Sequence, residues 1–89
     1  MRFHVHRDSL ILELAPLSEV REYARKEDQR LLAKLANLDE GFFAWIDTFT
    51  EVFLRAFDEN GCKYKIFDEF IFVPASEVER LRGTLFIEG

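Results

Sequence analysis

With 89 residues, 48% of them hydrophobic and ten of them Phe, the chain holds enough large apolar side chains to bury one core and too many to remain disordered. Its net charge of −5 argues against a general grip on phosphate backbones, and the single cysteine, Cys62, excludes an internal disulfide or a multi-cysteine zinc site. The same cysteine usage fits the reducing cytoplasm, and no apolar run approaches the ~20 residues that would span a bilayer, so no membrane partner is expected.

Residues 1–14 read as a β-hairpin. A two-residue turn at Arg7-Asp8 would set Val5 opposite Leu10 and Phe3 opposite Leu12 on an apolar side, with His4 facing Ile11 and Arg2 facing Glu13 on the other. His4 and His6 then share one face, a spacing that can hold a divalent ion. Two ligands fall short of the three that a catalytic metal normally takes, so the pair reads as exposed histidines and neither metal nor cofactor is expected. His6, Ser9 and Asp8 supply the residue types of a nucleophilic triad, but a hairpin tip offers no buried carboxylate and no oxyanion donors.

Pro16 and Ser18 open a helix whose apolar stripe is Leu17, Val20, Ala24, Leu31, Leu35 and Leu38. Its middle, Arg25 to Arg30, carries little apolar material and reads as a solvated face with the favourable Glu22–Lys26 spacing, which leaves a break there open in what is otherwise read as one helix. After the connection Asn37 to Gly41, the residues Phe42, Trp45, Ile46, Phe49, Val52, Phe53, Ala56 and Phe57 occupy an arc of roughly 140° at ~100° per residue, which predicts a central core helix ending at Asn60-Gly61. Asp47, Glu51 and Asp58 fall on its polar side. Residues 39–59 carry six carboxylates against one cation, Arg55. An ordered acidic row of this kind suits a basic surface on another protein, one that otherwise binds nucleic acid, whereas the plainer reading is a solvated face partly neutralised by the Glu51–Arg55 spacing.

From Cys62 the period changes to two: a strand to Phe67, a turn at Asp68-Glu69 and a strand from Phe70 to Val73, with Ile66 facing Ile71 and Tyr64 facing Val73. The other side of this hairpin carries Lys63, Lys65, Phe67, Phe70 and Phe72. That mixture admits burial under a helix, an interface with a partner or a second copy of the chain, or stacking of single-stranded nucleic acid. The absence of an RNP-like motif and the acidic tip argue against direct nucleic-acid binding. Ser76 with Glu79 forms a capping box for a short helix that Gly83 stops, and Thr84 to Glu88 supplies a last strand.

The expected fold is α+β, a small antiparallel sheet with two longer helices on one face in the order ββααββαβ. Its expected core comprises Phe3, Val5, Leu10, Leu12, Trp45, Phe49, Phe53, Tyr64, Ile66, Ile71, Leu85 and Ile87. Pro16-Leu17-Ser18-Glu19-Val20 is echoed by Pro74-Ala75-Ser76-Glu77-Val78, either as a duplicated unit or as the same strand-exit and helix-entry chemistry used twice. No phosphate-cradling glycine loop and no nucleophile elbow are present, so the chain reads as a noncatalytic regulator, adaptor or inhibitor. Its candidate surfaces are the acidic row Asp47, Glu51 and Asp58 and the Lys/Phe side of the second hairpin.

Overall fold

In the computed structural model, which describes residues 1–67 and 69–89, the first hairpin pairs β1 (Phe3–Arg7) with β2 (Leu10–Pro16) around a turn at Asp8-Ser9. Both turn residues have positive φ, 51° and 64°, as a type I′ turn requires. Val5 therefore pairs with Leu12 and Phe3 with Leu14, two residues beyond the expected register. Because strand side chains alternate with period two, the displacement leaves each residue on its expected face. Phe3, Val5, Leu12 and Leu14 are all buried.

The first helical segment divides into α1 (Leu17–Glu27) and α2 (Gln29–Leu35) at Asp28, within the polar stretch. Asp28 has extended backbone, and its carboxylate accepts from the Arg30 and Leu31 N–H groups at 3.1 Å each, so one residue ends α1 and caps α2.

Residues 41–59 differ most from the helix that periodicity predicts: Gly41–Trp45 form strand β3, and the helix, α3 (Thr50–Glu59), begins only after a turn. From Phe42 to Ile46 every residue is apolar, and an unbroken apolar run satisfies the helical period and the buried-strand period alike. Tertiary pairing decides the outcome. Strand β3 lies between β2 and β5 (Phe70–Pro74), with β1 beyond β2 and two short strands, β4 (Lys65–Phe67) and β6 (Ile87–Glu88), at the edges, giving the order β4-β5-β3-β2-β1-β6 with antiparallel neighbours throughout. Gly41 is required there by close approach. A Cβ on it would lie 2.7 Å from the Val73 carbonyl oxygen and against the Phe72 ring.

A strand in this position presents side chains to both faces, so the helices divide between them. Ala44 joins Phe53, Ala56 and Phe57 of α3 and Val78 of the short α4 (Ala75–Arg80) in one core. On the other side Phe43 joins Phe70, Phe72 and the apolar stripe of α1 and α2. The fold is α+β with an antiparallel sheet, as expected, but its two longest helices, α1 and α3, cover opposite faces. The element order is accordingly ββααβαββαβ. In the expected core Phe3, Val5, Leu12, Phe53, Ile71 and Leu85 are buried, and Leu10 and Tyr64 pack at its margin. Trp45, Phe49, Ile66 and Ile87 are exposed instead. Ile66 and Ile87 sit on edge strands, and the last strand shortens to two residues because Leu85 and Phe86 turn into the core.

The Pro-x-Ser-Glu-Val echo acquires a geometric meaning here. Strands β2 and β5 flank β3, each antiparallel to it, and therefore run parallel to one another. Each leaves the sheet at its proline and enters a helix, α1 on one face and α4 on the other, and Val20 and Val78 are both buried. A half-turn about β3 relates the two units. Helix α4 is held by Glu77, whose carboxylate accepts from the Lys63 N–H at 2.7 Å and from Arg80 at 2.9 Å, while Arg80 also donates to the Gly61 carbonyl at 2.8 Å.

Two predictions follow from these local devices. Replacing Ser9 with Gly relieves a positive φ and creates the favoured Asp-Gly turn, so chemical denaturation should show a gain of about 0.5–1 kcal/mol. The hydrogen bonds from Arg80 and the Lys63 N–H lower the Glu77 carboxyl from 4.5 to about 2, so its stabilising contribution is complete above pH 4.5 and is lost as pH falls toward 2. Glu77→Gln should therefore melt below the wild type at neutral pH, with the gap closing across that window; a gap independent of pH would refute the assignment.

Candidate functional site

The connection from β3 to α3 is built by a reciprocal pair of side chains. The Asp47 carboxylate accepts from the Phe49 N–H at 2.8 Å, and the buried Thr50 hydroxyl accepts from the Asp47 N–H at 2.8 Å. The Ile46 N–H donates to the Glu69 carbonyl at 3.0 Å, which anchors the start of the turn against the beginning of β5. With its ends tied in this way, the turn leaves Trp45, Ile46 and Phe49 exposed by 52, 40 and 54%. Trp45 follows Phe43 on the α1 side of β3, where helical cover runs out. Its ring lies 4.2 Å from that of Phe70 at 39°, and Tyr23 of α1 meets it edge-on at 5.7 Å and 88°. Tyr23 is itself 44% exposed.

Of the acidic row, Glu51 and Asp58 stand on the exposed side of α3, seven residues apart, with Arg55 between them. Asp47 precedes the helix and its carboxylate is committed to the turn. The three therefore do not form one helical stripe, because the segment that would have carried the first of them is not helical. The neighbouring Glu59 makes a bidentate pair with Arg7, one arm at 2.9 Å, and this lowers its pKa.

The proposed outer face of the second hairpin is largely interior. The register is the expected one, with Ile66 opposite Ile71 and Lys65 opposite Phe72, but Phe70 and Phe72 are 2% and 6% exposed beneath α1 and α2. Their rings pack on Phe43 at 5.5 and 5.0 Å. They cannot stack bases or form an interface. Lys63 and Lys65 remain exposed near the sheet edge; Phe67 pairs with Phe70 through its backbone, and its side chain, like Asp68, lies outside the described residues.

His4 and His6 do share a face, their ring centroids 6.2 Å apart. Glu13 lies 3.8 Å from His4 but is engaged by Arg2, and among the described residues no group of three or more His, Cys, Asp or Glu could hold a metal. Ser9 shares the turn with Asp8, while His6 pairs with Ile11. The Cys62 thiol is buried, which pushes its pKa up to about 11 and leaves it a poor nucleophile at neutral pH. No helix among the described residues is long and apolar enough to cross a membrane.

Two clefts remain. One, of about 360 Å³, lies where α1 and α4 leave the sheet and is walled by Phe3, Leu17, Phe42 and Val78. The other, of about 350 Å³, lies between α1 and the end of β3 and is lined by Tyr23, Trp45, Phe70, Val20, Glu19 and Arg2, among others. The second adjoins the exposed turn. Sequence reasoning assigned Trp45 and Phe49 to the core and passed over Tyr23; the sign available was Asp47-Thr48-Phe49-Thr50, whose acidic and hydroxyl residues at a spacing of three favour a turn over helix interior.

Comparison with protein-family models, with curated proteins and with solved structures finds no match to this chain.

The division between buried and displayed rings is measurable. Phe72→Ala should cost about 3–5 kcal/mol of stability, as for other buried Phe, whereas Phe49→Ala should cost well under 1 kcal/mol. Equal losses in urea titrations would return Phe49 to the core.

Proposed function

We propose that this chain is a noncatalytic protein-binding module, a small regulator, adaptor or inhibitor acting in the cytoplasm, and that it engages its partner through the turn between β3 and α3. One observation carries the reading: three large apolar side chains within five residues, Trp45, Ile46 and Phe49, are about half exposed on a turn held by its own hydrogen bonds. Scattered exposed apolar residues are ordinary, but three on one short turn, Trp and Phe among them, have the composition of an interface hot spot. Because the turn is ordered before binding, little conformational entropy is lost when a partner covers it.

The acidic residues keep a role in this reading as a rim. Glu51 is exposed in the first turn of α3 and Asp58 two turns beyond it, so a partner surface with apolar pockets and a basic border complements the patch. That surface could belong to a protein that otherwise binds nucleic acid. Direct single-strand binding by the second hairpin loses its support with the burial of Phe70 and Phe72.

A photo-crosslinking residue at position 49 should join the chain to a single partner in its native lysate, and the same residue at position 30, on α2, should not. Against that partner, once purified, Trp45→Ala and Phe49→Ala should each weaken binding at least tenfold without unfolding the protein, and Glu51→Lys should slow association at low salt. Wild-type affinity in both aromatic variants would overturn the proposal. Light scattering separates a second copy of the chain from a different partner.

A further inference from the structure

On the side of the sheet that α1 and α2 occupy, their cover stops at β2. The apolar cluster there draws on Ala15, Phe43, Phe70 and Phe72 of β2, β3 and β5, and on no residue of β1 or β6. The same side of those outer strands is therefore bare, and it carries both histidines of the chain. His4 lies opposite Ile87 of β6 and Glu13 of β2, and His6 lies opposite Ile11. Directly paired residues share a face, so the histidines sit between two isoleucines, Ile87 and Ile11, that are 43% and 61% exposed.

Two imidazoles spaced by two along a strand can bind one metal ion. With metal–nitrogen bonds of about 2.0–2.1 Å, the ring centres of such a pair lie roughly 5–6.5 Å apart. Those of His4 and His6 are 6.2 Å apart. The Glu13 carboxylate, 3.8 Å from His4, is held by Arg2, and among the described residues the chain supplies no third donor. A structural zinc site takes four, so the pair is half of one. Whatever completes it must also cover Ile11 and Ile87, and a small chelating anion would leave them bare. A second copy of the chain does both: a two-fold axis through the metal brings an identical pair from the opposite side and lays isoleucine against isoleucine. The dimensions agree. Facing sheets pack about 10 Å apart, which leaves about 5 Å from each sheet to an ion at the midplane, within reach of a histidine side chain.

We propose that His4 and His6, with the same pair from a second copy of the chain, bind a divalent transition-metal ion and so form a metal-bridged dimer through the bare face of β1 and β6. Zinc fits best, because four imidazole nitrogens in a tetrahedron suit it, whereas magnesium and calcium require oxygen donors. This site does not rest on the partner-binding turn between β3 and α3.

Zinc sulfate titrated calorimetrically into the metal-free protein at neutral pH should saturate at one ion per two chains. Light scattering should show the mass double over the same range and return to the monomer on addition of EDTA, and magnesium should have neither effect. Cobalt(II) in place of zinc should give the intense visible absorption of a four-coordinate ion. His4→Ala and His6→Ala should each weaken zinc uptake at least tenfold, since each removes two of the four donors, while urea unfolding stays cooperative. Ile11→Arg, which keeps every donor, should prevent the doubling of mass. Saturation at one ion per chain with no change in mass would overturn the bridged dimer. Zinc uptake unchanged in both histidine variants, or undetectable at micromolar zinc, would overturn the site, and a dimer that persists fully in EDTA would overturn the role of the metal.

Discussion

Everything in this molecule is arranged around a strand of five residues that is covered on both sides. Gly41 to Trp45 are hydrogen-bonded to β2 on one edge and β5 on the other, with Phe42 and Ala44 directed to one face and Phe43 and Trp45 to the other. A strand so placed cannot leave either face to water without exposing large apolar residues. The helices must therefore come from both directions, and the chain meets that demand with two strand-to-helix units related by a half-turn about the strand. The alternation of the strand itself supports the relation: Pro16 lies opposite Phe42 and Pro74 opposite Gly41, adjacent residues that present to opposite faces.

The same constraint explains where surface becomes available. Helices α1 and α2 cover Phe43, Phe70 and Phe72 but not the end of β3, and the chain leaves the sheet at Trp45 just where that cover ends. An aromatic residue suited to the covered part of the face is thus carried past its edge. Tyr23 reaches the Trp45 ring from α1 without enclosing it. The displayed cluster is a consequence of strand length relative to helix cover, and the Asp47–Thr50 turn fixes its geometry.

Much of this was legible in the sequence, and the misreadings share a cause. Both hairpins and the existence of the short α4 follow from local rules, because turn residues and alternation act over a few positions, although α4 starts at Ala75 behind Pro74 and the capping box expected from Ser76 and Glu79 does not form. The face of each residue in β1 and β2 was legible although the turn lay one residue further on, since alternation is insensitive to a two-residue change of partner. The run from Phe42 to Ile46 was not legible, because its identity depends on β5, almost thirty residues later. Read as helix, that run places Trp45 and Phe49 inside, turns the acidic residues into a stripe and leaves Phe70 and Phe72 without the layer that covers them. The candidate site shared that fate: Trp45 is distant in sequence from Glu19 and Tyr23 of α1, and only the crossing of α1 over the sheet brings them to one cleft.

The brevity of the two edge strands has a consequence of a different kind. A six-stranded sheet offers unpaired backbone along its outer strands, and such rims are the ordinary starting points for polymerisation. Here β4 and β6 span three and two residues, and the first of them opens on Lys65 with Lys63 just before it, both charged. The sheet ends itself on both sides. A protein can then display a cluster of Trp, Ile and Phe to solvent and remain dispersed, since contact between two such clusters finds no neighbouring backbone ladder to extend it into a fibre.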